Sequence, residues 1–176
     1  MRLELKGLIK LDRREVEHYL KMLGEKLATQ GRQGSILLLG GAVMLITVGN
    51  RTSTRDIDAS FEQEGPAIRQ AAIEIAEIEH LPHDWINDGA KGFIRSQPPI
   101  SLWKRYPGLD IYLPKLEYLL AMKVTARRDR DIDDAKALIS YLNIPNAESV
   151  LAIVKQFIPQ NYLTPSIQYM VEDWFD

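Results

Sequence analysis

Apolar residues near the start of the chain recur at helical spacing: Val16, Tyr19, Leu20, Leu23 and Leu27 share one face of a helix over residues 12–30. Asp12 stands at the N-cap position and Gly31 at the stop. The pattern then shortens. Residues 35–39 form a compact apolar run that predicts a buried strand, and Gly40 and Gly41 interrupt it before a second apolar segment, residues 42–48, of helical character. From residue 55 to 61 the chain alternates, with Asp56, Asp58 and Ser60 on one side of a strand and Ile57, Ala59 and Phe61 on the other. Residues 66–80 return to helical spacing, with Ile68, Ala71, Ala72, Ile75, Ala76 and Ile78 inward and Leu81-Pro82 as the end.

Residues 85–93 carry no period and predict no element. Alternation resumes at 109–113, where Leu109, Ile111 and Leu113 oppose Asp110 and Tyr112. Four helices follow, over residues 115–127, 131–142, 147–157 and 164–175, separated by Pro145, Pro159 and Pro165. The expected organisation is an α/β part, residues 1–113, followed by a helical part, residues 114–176, in a single compact body.

Composition narrows the chemistry. None of the 176 residues is cysteine, which excludes disulfides, thiolate zinc sites and cysteine nucleophiles and fits the cytoplasm. Residues 1–10 lack the continuous apolar core of a signal peptide, and the run 36–48 is too short to span a bilayer, so no membrane role is expected. A formal charge of -2 argues against coating nucleic acid by bulk charge. His80 and His83 have metal-like spacing, but Pro82 lies between them and no third ligand is evident; surface positions are expected. Trp103, Tyr106 and Tyr112, near Lys104 and Arg105, have the makings of a base-stacking patch, although aromatic residues at this density more often belong to a core.

The informative residues are Gly40-Gly41 and the segment from Arg51 to Asp58. Paired glycines after a buried strand let backbone amides approach a ligand closely, which suits nucleotide phosphates. Two carboxylates at i and i+2 on a strand project in parallel, close enough to share magnesium ions bound to those phosphates.

Gly40-Gly41, residues 51–61 (RTSTRDIDASF), residues 81–93 (LPHDWINDGAKGF) and residues 118–134 (YLLAMKVTARRDRDIDD) together resemble a bacterial nucleotidyltransferase-like family of the polymerase-β superfamily, related to AbiEii-type toxins of toxin-antitoxin and phage-defence systems. The resemblance implies a polymerase-β-like palm, a mixed sheet flanked by helices, with a small helical region after it. It implies transfer of a nucleoside monophosphate from a nucleoside triphosphate, with Mg2+ or Mn2+ held by Asp56 and Asp58. Gly40, Gly41, Arg51 and Thr54 fall among its nucleotide-binding positions. Lys123 and Arg127, one helical turn apart, would hold triphosphate oxygens, and Asp131 and, less directly, Asp134 would join the site; carboxylates at the start of a helix also complement its dipole. A third carboxylate, ligand to one metal and acceptor of a proton, is expected at Asp110 on the polar face of its strand, with Asp88 as the competitor.

Two function classes stay open at this stage. One is an enzyme acting on an RNA, tRNA-like, or protein acceptor, for which the resemblance implies the role of a toxin with a cognate antitoxin. The other is a module of such a system that binds nucleotide or partner without turnover.

Overall fold

The computed structural model describes residues 9–94 and 97–176. Residues 1–8, part of the segment read above for a signal peptide, lie outside the described residues. The chain is α/β, with a five-stranded mixed sheet and, among the described residues, seven α-helices. It divides into two compact units. The first holds the described residues up to Gly92 together with Ile100–Leu113; the second holds Pro114–Asp176 with the described part of Phe93–Pro99.

In the first unit, α1 (Arg13–Thr29) starts at a capping box: the Asp12 carboxylate accepts from the Glu15 backbone N–H at 2.9 Å, and the Glu15 carboxylate accepts from the Asp12 N–H at 2.8 Å. Its stripe of Val16, Leu20, Leu23 and Leu27 is buried. The strands are β1 (Gly34–Leu38), β2 (Ile57–Gln63), β3 (Ile86–Asn87), β4 (Ile100–Tyr106) and β5 (Leu109–Pro114), in the order β3-β2-β1-β5-β4. Every residue of β1 is buried, as expected for a central strand covered on both faces. It runs antiparallel to β2 and parallel to β5, and β2 runs parallel to β3. Between β1 and β2 the chain forms α2 (Gly40–Val43), which continues as a π turn, Met44–Val48, closed by the Gly49 N–H donating to the Met44 carbonyl at 2.8 Å. After β2 comes α3 (Gly65–Glu79), which buries Ile68, Ala71, Ala72, Ile75 and Ala76. Ile78, expected inward, is 64% exposed, in the last turn of the helix.

Two elements escape the periodic reading. β3 has two residues and is fixed from its flank: the buried Trp85 donates its indole N–H to the Ala72 carbonyl at 2.9 Å and accepts the Ile57 N–H on its own carbonyl at 2.7 Å. β4 is the edge strand beyond β5, and Ile100 and Leu102 on it are exposed. The turn between β4 and β5 packs against α1 with no room for a side chain. A Cβ on Gly108 would stand 2.2 Å from the Gly24 carbonyl oxygen, and one on Gly24 would stand 2.7 Å from the Pro107 carbonyl oxygen.

The second unit contains α4 (Leu116–Ala126), α5 (Asp129–Tyr141), α6 (Ala147–Phe157) and α7 (Pro165–Asp173). In α4, Tyr118, Leu119, Leu120, Ala121 and Val124 are all buried, so the helix is apolar around most of its circumference and is packed on by α5, α6 and α7. Among the described residues no helix is long and apolar enough to cross a membrane.

Gly108 has φ +80°, a left-handed conformation that a side chain resists, in addition to the contact with Gly24. Gly108→Ala is therefore expected to lower the unfolding free energy by about 3 kcal/mol or more, measured by urea denaturation. A loss near 1 kcal/mol would mean that the helix and the turn can separate at little cost.

Candidate active site

The end of β1 and the start of β2 meet at the glycine pair. Leu39 is extended, Gly40 turns left-handed at φ +60°, and α2 starts at once. A Cβ on Gly40 would lie 2.5 Å from Oδ2 of Asp58, and one on Gly41 would lie 2.6 Å from Nη1 of Arg51 and 3.2 Å from Oγ1 of Thr54. The first glycine therefore carries a carboxylate against its backbone and the second a guanidinium. Gly40 is required for its dihedral, and a side chain at either glycine would displace the charged group that now fills the space. The Leu39 N–H donates to the Asp58 carbonyl at 2.8 Å, which locks the level of the two strands.

Ile57 is fully buried while Asp56 and Asp58 on either side of it are partly exposed, so alternation turns both carboxylates the same way. Asp56 stands one residue before β2. Thr54 supports that approach: its backbone pairs with Leu11 through hydrogen bonds of 2.7 and 2.9 Å, and its hydroxyl donates to the Asp56 carbonyl at 2.9 Å. The hydroxyl proton is thus engaged in holding the turn. On the other side of β2, β3 pairs Asn87 with Asp58, and the Asn87 amide lies 3.5 Å from Oδ2 of Asp56. The periodic reading missed Asn87; the available signal was an apolar pair, Trp85-Ile86, followed by the turn-forming Asn87-Asp88-Gly89.

Asp110 does not join this group. It pairs with Ser35 on β1, whereas Asp58 is level with Leu39, four residues further along, a separation of roughly 13 Å along the strand at about 3.3 Å per residue. Arg105 holds its carboxylate instead, with Nε at 2.8 Å and Nη2 at 3.3 Å. Asp88, the competitor, is ion-paired with Arg69. Asp110 is displaced because alternation specifies the face of a strand and not the position along it. The aromatic cluster is no core: Trp103, Tyr106 and Tyr112 are partly exposed, and Lys104, 5.0 Å from the Trp103 ring centroid, is ion-paired with Glu17 at 2.8 Å. His80 and His83 are exposed.

The donor set suits a magnesium-like ion that travels with phosphate. Among the described residues no three acidic or histidine side chains gather into a closed cage. Magnesium is commonly held by one or two carboxylates, with the remaining positions filled by water and substrate phosphates. Asp56 and Asp58 supply two, and the close approach permitted by Gly40 leaves backbone where a Cβ would otherwise stand.

The chain matches, over residues 18–174, the family described as "Nucleotidyltransferase of unknown function (DUF6036)". It belongs to that family. No curated protein and no solved structure matches it.

In this member of the nucleotidyltransferase family the remaining expected residues form a cluster inside the helical unit. Lys123 is buried in α4, with Nζ 2.8 Å from Oδ1 of Asp131 and 2.9 Å from Oδ2 of Asp134, both carboxylates being 1% exposed. Asp131 also accepts from Nε of Arg128 at 2.6 Å. Lys123 is therefore not on a solvated face, and two carboxylates within its own unit match its charge. Arg127 ends α4 in a left-handed conformation and donates to the Ser166 hydroxyl at 2.9 Å. Burial pushes the Asp131 carboxyl up, but the hydrogen bonds from Lys123 and Arg128 outweigh it and hold the group below its ordinary value.

Removing one member of a buried ion cluster leaves unmatched charge, so Lys123→Ala is expected to cost about 3–5 kcal/mol of unfolding free energy at neutral pH. Because the Asp131 value is lowered in the folded protein, its contribution is complete above the unfolded value of about 4 and is lost as pH falls through the folded value below it. Denaturation curves between pH 2 and 7 should show that loss in the parent and a shallower fall in Asp131→Asn. Equal slopes in the two proteins would remove the linkage.

Proposed function

We propose that the glycine pair and the two aspartates form a metal-dependent nucleotidyl-transfer site, moving a nucleoside monophosphate from a nucleoside triphosphate to a hydroxyl of an RNA, tRNA-like, or protein acceptor. The observation that carries this reading is that the Asp58 carboxylate and the Arg51 guanidinium occupy the space that a Cβ on Gly40 and on Gly41 would take. A carboxylate alone would repel a triphosphate; a cation placed beside it on bare backbone offers the phosphate oxygens a counter-charge and a close approach.

Asp56 and Asp58 would hold a divalent cation, Mg2+ or Mn2+, which supplies charge neutralisation of the triphosphate and polarises the phosphorus under attack. Gly40 and Gly41 admit the phosphates to the backbone, Arg51 binds their oxygens, and Thr54 acts through the turn that aims Asp56. In the transfer itself the acceptor hydroxyl loses its proton to solvent, its oxygen bonds to the α-phosphorus, and the bond to the pyrophosphate oxygen breaks in line, releasing pyrophosphate. Lys123, Asp131 and Asp134 enter this reading as the framework of the helical unit. The resemblance to AbiEii-type toxins extends the proposal to growth arrest through modification of RNA, relieved by an antitoxin protein.

Asp58→Asn is nearly isosteric and removes charge from the site. It should leave the fold intact, abolish magnesium-dependent binding of a nonhydrolysable triphosphate in calorimetry, and slow transfer of label from nucleoside triphosphates to total RNA or protein by about a thousandfold or more. Equal magnesium-dependent affinity in the parent and the variant would overturn the metal assignment. Magnesium-dependent binding in the parent without transfer to any RNA or protein would favour a nucleotide-binding module over an enzyme.

A further inference from the structure

Asn87 is held in one orientation beside the carboxylate pair. β3 runs parallel to β2 and pairs Asn87 with Asp58, so the two side chains share a face of the sheet. The two ends of a carboxamide are alike in shape and opposite in role, and here the partners distinguish them. The Gly89 N–H donates to Oδ1 at 3.1 Å, which makes that end the oxygen. The other end, Nδ2, donates to the Asp84 carbonyl at 3.4 Å and reaches Oδ2 of Asp56 at 3.5 Å. The turn is close around the amide: a Cβ on Gly89 would stand 3.1 Å from Oδ1 of Asn87. The strand that carries it is anchored by the two Trp85 hydrogen bonds described above, and Trp85 is 1% exposed.

We infer that Asn87 is a positioning residue of the divalent-cation site: it steers the Asp56 carboxylate through its N–H and keeps a neutral group where the sheet register would seat a third acid. The inference rests on Asp56 and Asp58 being the metal-binding pair. Two carboxylates balance the charge of one divalent ion and leave its other positions to phosphate oxygens and water. A third carboxylate would hold the ion tightly without nucleotide and would face the triphosphate with surplus negative charge. Asn87 thus couples retention of the ion to the arrival of the nucleotide.

The test is calorimetric titration of the full chain with Mn2+, with and without a nonhydrolysable triphosphate, for the parent, Asn87→Ala, Asn87→Asp and Asp58→Asn. Loss of a hydrogen-bonding group that orients a ligating carboxylate should weaken Mn2+ binding by about tenfold in Asn87→Ala. Asn87→Asp keeps an oxygen acceptor for the Gly89 N–H and adds charge, so it should tighten nucleotide-free Mn2+ binding by about tenfold. A merely structural role would move both variants in the same direction. If both bind Mn2+ as the parent does, or both more weakly, while Asp58→Asn has lost binding, the positioning role is overturned and the metal pair stands. If Asp58→Asn binds as the parent does, or the parent binds no Mn2+ in either condition, the metal reading itself is wrong.

Discussion

The first unit is organised by the absence of two Cβ atoms. Where a strand ends in residues with side chains, the Cβ atoms occupy space beside the backbone that a charged group would otherwise fill. At Gly40 and Gly41 those atoms are missing, and an acid from β2 and a base from the following segment occupy the space. Once those contacts are set, much else is constrained. β2 must be antiparallel to β1 and level with Leu39 for Asp58 to reach the turn, and Arg51 must return from the π turn for its guanidinium to lie on Gly41. The two hydrogen bonds between Leu11 and Thr54 then hold the returning segment to the residue before the N-cap of α1.

The second unit solves a different electrostatic problem. α4 is apolar around most of its surface, yet it contains a lysine, and a buried ammonium without a counter-charge costs several kcal/mol. α5 answers with Asp131 and Asp134, one helical turn apart on its first two turns, and Arg128 balances the excess negative charge. The register of α5 against α4 is thereby tied to specific atoms, whereas apolar contacts alone tolerate sliding. Carboxylates near a helix start also complement its dipole, so the same groups serve both ends.

What the sequence made legible followed from how strongly burial imposes a period. α1, α3 and the four later helices each bury one face or more and could be read directly, as could β1, β2 and β5. β4 could not, because an exposed edge strand has no core side to alternate against; Ile100, Leu102, Trp103 and Tyr106 follow no single period. β3 is too short for any period to register. At the site, the glycine pair and Asp56 and Asp58 were visible as a local motif, since short-range geometry brings them together. Asp110 lies level with Ser35 and not with the glycine pair, a placement that alternation could not give because it carries no information about strand register. For Lys123 the signal was present: a lysine amid Tyr118, Leu119, Leu120, Ala121 and Val124 sits in an apolar setting, and aspartates spaced three apart follow soon after.

The π turn after α2 bears on how such sites are recognised at all. A π turn contains one residue more than the α-helical turn it replaces, and Met44–Val48 inserts that residue between the glycines and the segment carrying Arg51. The number of residues separating Gly41 from Asp56 therefore reflects the winding of an intervening helix, not the distance between the groups in space. Two chains with identical sites can differ in that count by one through helical pitch alone. A motif defined with a rigid gap would accept one and discard the other, whereas a definition that lets the gap breathe by a residue keeps both.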